Sequence, residues 1–64
     1  MRTLAEYTRI VSEMEAGRQP PGFSGKEGID KLVVEMCFTP WNMPEDRSKV
    51  QALAARLVRL KEQS

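Results

Sequence analysis

The sequence predicts an all-α fold, a small three-helix bundle made of a helical hairpin and a longer C-terminal helix. Three observations carry that expectation. Apolar residues recur at three- and four-residue spacing in three separate segments, the period of a helix buried on one side. Helix-stopping residues separate those segments: Gly17 with Pro20, Pro21 and Gly22, then Pro40 and Pro44. A chain of 64 residues has length for one domain only, and no repeat or low-complexity tract interrupts it.

The first helix is expected over about 4–16. Thr3 and Glu6 form a T-x-x-E capping box, in which each side chain satisfies a backbone N–H left free at a helix start. At 100° per residue Leu4, Tyr7, Ile10, Val11 and Met14 share one stripe, while Glu6, Arg9 and Glu13 point away. Gly17 ends the helix, and Pro20-Pro21-Gly22-Phe23 follows as a stiff corner.

The second helix is expected over about 25–37. Ser24 and Glu27 repeat the box as S-x-x-E, and Ile29, Leu32, Val33 and Met36 fall on one side. Gly25 and Gly28 weaken its first turn, each by about 1 kcal/mol relative to Ala. The β-branched pair Val33-Val34 also permits a short strand, although the spacing fits a helix better.

Phe38 to Pro44 is a break. Pro40 drives Thr39 away from helical dihedrals, and Pro44 suits the first turn of a third helix over about 44–62, with Asn42 as its cap and Glu45 at the matching box position. Val50, Leu53, Ala54, Leu57 and Leu60 supply the apolar stripe, and Glu45 precedes Lys49 by the four residues of a helical ion pair.

Composition narrows the class of function. Ten Lys and Arg against nine Asp and Glu give a net charge of +1, so overall charge points neither to nucleic acid nor to an anionic membrane. Uninterrupted apolar runs such as Leu32-Val33-Val34 are too short for a membrane span or a signal-peptide core. A single cysteine, Cys37, has no internal partner for a disulfide, which favours a reducing, intracellular compartment, either cytoplasmic or organelle-associated. A domain of this size buries only about 60% of its unfolded surface. Stability is therefore marginal, and a protein partner, a larger complex or further copies of the chain would supplement it.

Catalysis needs a positioned base, nucleophile or metal, and the chain contains no His. Cys37 has no imidazole to activate it and is expected as a packed thiol on the apolar side of the second helix. The carboxylates are scattered, with Glu13 and Glu15 pointing in different directions, and the usual soft and imidazole metal ligands are lacking. The expectation is a non-enzymatic protein without cofactor or metal. Two readings compete for its role. Lys49, Arg56 and Arg59 beside the third helix's stripe fit a small DNA-binding or phage-type helical regulator, although Glu45, Asp46 and Glu62 on the same segment dilute that charge. Trp41, with neighbouring Phe38 and Met43, fits a protein interface anchored by a few large side chains. Trp41 fits equally well as a cap on the open end of the bundle.

The spacing of Tyr7, Ile10, Val11, Met14, Gly17, Pro21, Gly22 and Phe23 resembles a motif of small peroxin-like proteins. Those proteins carry a Phe-started amphipathic helix, a Gly, a Pro-Gly-Ile corner and, further on, a Lys-Pro-Trp-Glu tetrapeptide. Here Tyr7 stands for the Phe, Phe23 for the Ile, and Thr39-Pro40-Trp41-Asn42 for the tetrapeptide, without its Lys and Glu. The match covers about a third of the chain. The resemblance implies a role in peroxisomal matrix-protein import. The combined expectation is an adaptor or accessory subunit acting by protein–protein contact. Tyr7, Pro21, Gly22 and Phe23 would form its docking corner, Phe38, Trp41 and Met43 would anchor it, and the third helix would lie along the partner.

Overall fold

The computed structural model describes residues 2–63 and contains three helices: α1 (Leu4–Glu15), α2 (Gly25–Phe38) and α3 (Pro44–Gln63). Each bound lies within a residue of its expected position. The region around Val33-Val34 is helical, and no strand occurs among the described residues. The 20 residues of α3, at about 1.5 Å each, account for the 32 Å long axis of the molecule.

Helix α1 begins and ends as its sequence dictates. The Glu6 N–H donates to Thr3 Oγ1 at 3.2 Å, with Thr3 in extended backbone. At the other end Gly17 adopts φ +87, which lets its N–H donate to the Met14 carbonyl at 3.1 Å and the Arg18 N–H donate to the Glu13 carbonyl at 2.9 Å. That double closure is a Schellman stop. The corner is then a type II turn. Pro21 fixes its second position, Gly22 takes φ +86 at the third, and the Phe23 N–H closes on the Pro20 carbonyl at 3.0 Å.

Two expected caps are not made. Ser24 precedes α2 but its side chain forms no cap hydrogen bond. Asn42 lies one residue too early, because Pro44 occupies the first helical position. Met43 stands before it, and its carbonyl accepts from the N–H groups of Asp46 (3.1 Å) and Arg47 (3.2 Å). Nor do Glu45 and Lys49 pair; the one i,i+4 ion pair among the described residues is Arg9–Glu13.

The core takes Tyr7, Val11 and Met14 from α1, Phe23 from the corner, Ile29, Leu32 and Met36 from α2, and Val50, Leu53 and Leu57 from α3. Both shorter helices pack chiefly on α3. The apolar stripe of α3 is therefore spent inside the bundle, through Val50, Leu53 and Leu57. Ion pairs tie the elements at the rim: Arg2 to Glu35, Glu15 to Arg56, and Asp30 to Lys61. Being partly solvated, each contributes about 1 kcal/mol at most.

Gly28 explains how the corner reaches α2. It is buried, and a Cβ built on it would lie 2.3 Å from the Phe23 carbonyl carbon and 2.7 Å from the Phe23 Cα. The glycine that weakens α2 by propensity thus makes room for the corner backbone. With the backbone seated there, the Phe23 side chain drops into the core, while Arg2 and Lys31 lie over its ring at 5.0 and 5.6 Å. Among the described residues no helix is long and apolar enough to cross a membrane.

Candidate protein-docking face

The structure divides the residues expected at a docking surface into two groups. Tyr7 is 0% and Phe23 3% exposed, so neither is available to a partner while the bundle is folded. The corner presents only Pro21 and Gly22 to solvent, and the burial of Pro20 shows the turn folded onto the bundle. The physical reason is the seat at Gly28, which holds the corner inward. Phe38 and Met43 are the opposite case, at 82% and 56% exposed.

Phe38 belongs to a ridge that includes Val34, itself 53% exposed. Four residues apart, the two project from the side of α2 opposite Ile29, Leu32 and Met36. At 100° per residue Val34 stands about 160° from Met36, so the sequence already contained this signal. It was hidden because Val33-Val34 reads first as a unit. Cys37 is also exposed, which corrects its expected place in the core. One residue past the buried Met36, it has rotated out of the buried arc.

The connection that follows Phe38 is held by side chains. Pro40 keeps Thr39 in extended backbone (φ -71, ψ 133), and the Thr39 hydroxyl donates to the Glu35 carbonyl at 2.8 Å. The Trp41 Nε1–H donates to the Met36 carbonyl at 2.8 Å, and its ring meets Tyr7 edge-on, centroids 5.8 Å apart at 72°. Arg47 Nε donates to the Trp41 carbonyl at 3.1 Å. Trp41 is thus half-buried and bonded at both its ring and its backbone, the arrangement expected of a cap on the bundle. One edge remains on a groove of about 520 Å³ lined also by Cys37, Pro40, Arg47 and Gln51. The effect is a tethered loop that fixes where Phe38 and Met43 leave the bundle.

The basic flank of α3 is less free than its sequence suggests. Arg56 Nε donates to Glu15 Oε2 at 3.1 Å and Nη2 to Oε1, a bidentate bond joining α3 to α1. That hydrogen bond holds the Glu15 carboxyl below its ordinary value of 4.5 and raises the Arg56 guanidinium.

In comparisons with known proteins, no family model, curated protein or solved structure matches the chain.

Proposed function

We propose that this chain is a non-enzymatic protein–protein interaction module, a small adaptor or accessory subunit, which docks through Val34, Phe38 and Met43. The observation that carries this reading is Phe38: an aromatic side chain 82% exposed on a helix whose opposite face forms the core. Large apolar side chains of this kind dominate affinity once a partner desolvates them. Trp41 then acts as the strut that positions the ridge, and Pro21 and Gly22 as the turn that closes the bundle. The peroxin-like spacing of Tyr7 to Phe23 makes peroxisomal import the cellular setting of this proposal. The competing DNA-binding reading of α3 has less support, since Arg56 is engaged by Glu15 and leaves Lys49 and Arg59 as the rest of the flank.

The test compares capture by the wild-type chain with capture by Val34→Ser/Phe38→Ser, read by quantitative mass spectrometry of the bound proteins. Both side chains are exposed, so the variant keeps its helical circular dichroism and its melting temperature. Specific partners drop out with the double variant. Undiminished capture of the same partners would refute the face.

A further inference from the structure

A second surface lies at the other end of the molecule and has different chemistry. Between the end of α1, the start of α2 and the last turns of α3 is a groove of about 250 Å³. Met14, Phe23, Ile29 and Leu60 make its apolar lining, and Arg18 and Lys26 complete it as exposed cations. Neither cation has an acidic partner among the described residues, whereas Arg2, Arg56 and Lys61 are all engaged. Gly17 and Gly25 also border the groove and place no side chain over it.

We infer that this groove binds a small amphiphilic carboxylate, its apolar tail lying on Met14, Ile29 and Leu60 and its carboxylate held between Arg18 and Lys26. Size and charge both select that occupant. At about 30 Å³ per atom-sized volume, the share of a water molecule in the liquid, the groove has room for roughly eight non-hydrogen atoms, the tail of a medium-chain acid. The charged lining of the groove is two cations and no carboxylate. A single negative group fits that pattern. The site is separate from Val34, Phe38 and Met43 and does not depend on their role.

Sodium octanoate is the probe, titrated into the ¹⁵N-labelled full chain and followed by amide chemical shifts, with octylammonium chloride at equal ionic strength as the charge-reversed control. The expected result is saturable, millimolar binding of octanoate with shifts centred on Gly17, Lys26, Ile29 and Leu60. Octylammonium, and octanoate on Arg18→Glu/Lys26→Glu, should each bind at least about tenfold more weakly, a difference of one decade in Kd. Both substituted side chains are exposed, and an unchanged melting curve establishes that the variant is folded. Equal affinity for the two amphiphiles would make the groove a charge-blind apolar seat, suited to a partner's side chain, and would overturn the inference. So would unchanged octanoate binding by the variant, shifts centred on Val34 and Phe38, or the absence of saturation.

Discussion

Gly28→Ala sets two principles against each other. Helix propensity alone favours Ala over Gly in a helix interior by about 0.8–1 kcal/mol. Packing opposes it, because the new methyl carbon would lie 2.3 Å from the Phe23 carbonyl carbon and 2.8 Å from its oxygen. The obstacle is backbone and does not move cheaply. The Phe23 N–H is bonded to the Pro20 carbonyl, the Gly28 N–H is bonded to the Ser24 carbonyl, and the Phe23 ring is buried behind them. Overpacking a core costs about 1–3 kcal/mol, and with both sides of the contact anchored the upper part of that range applies. After the propensity gain, a net loss of about 1–2 kcal/mol remains. For a domain of this length each kcal/mol moves the melting temperature by about 4–8 °C. Thermal and urea unfolding followed by circular dichroism at 222 nm, with the wild type alongside, measures the difference. A variant that melts at or above the wild type would refute the claim that Gly28 is the seat of the corner.

Two further outcomes follow from single groups. Tyr7→Phe should stabilise the bundle by about 1 kcal/mol, because the buried Tyr7 hydroxyl has no hydrogen-bond partner among the described residues and pays a desolvation cost of about 1–3 kcal/mol. A loss of stability in urea unfolding would show that the hydroxyl is satisfied. The Glu15–Arg56 pair should support the fold only where Glu15 is ionised. Its folded pKa lies below 4.5, so the contribution is complete above the unfolded value and fades as pH falls through the folded one. Both ends are more than a third exposed, which limits it to a fraction of 1 kcal/mol. The stability gap between wild type and Glu15→Gln should therefore close as the pH falls below the ordinary carboxylate value of 4.5, and a gap that widens with acid contradicts the assignment.

Local chemistry was legible where one residue decides the outcome. Thr3, Gly17, Pro40 and Pro44 each impose a backbone state by themselves, and the structure shows all four where the sequence places them. The core stripes were legible for the same reason, since period alone selects Tyr7, Val11, Met14, Leu32, Met36 and Leu57. Features that depend on contacts between elements were not. Gly28 reads as a weakness of α2 until the Phe23 backbone is seen against it, and Phe23 reads as presented until that seat draws it inward. Cys37 follows the buried Met36, and one residue's further 100° of rotation carries it out of the buried arc, while Val34 stands about 160° from Met36 on the outer face, a position that no single residue type announces. The two cations of the Met14–Leu60 groove are far from Leu60 in sequence, and only the packing of α3 brings them to one apolar floor.

The central claim is that the outer face of α2 and its exit meet a protein partner. The most direct measurement places a photo-crosslinking side chain, p-benzoylphenylalanine, at Phe38 in one full-length variant and at Pro21 in another, followed by irradiation in the source cell. Both positions are exposed, and an unchanged circular-dichroism melting curve establishes that each variant is folded and reports what lies against it. The account predicts a discrete, irradiation-dependent adduct from position 38, with position 21 remaining uncrosslinked to that protein. An adduct formed from position 21 with none from position 38 would contradict it and return the docking surface to the Pro21-Gly22 corner.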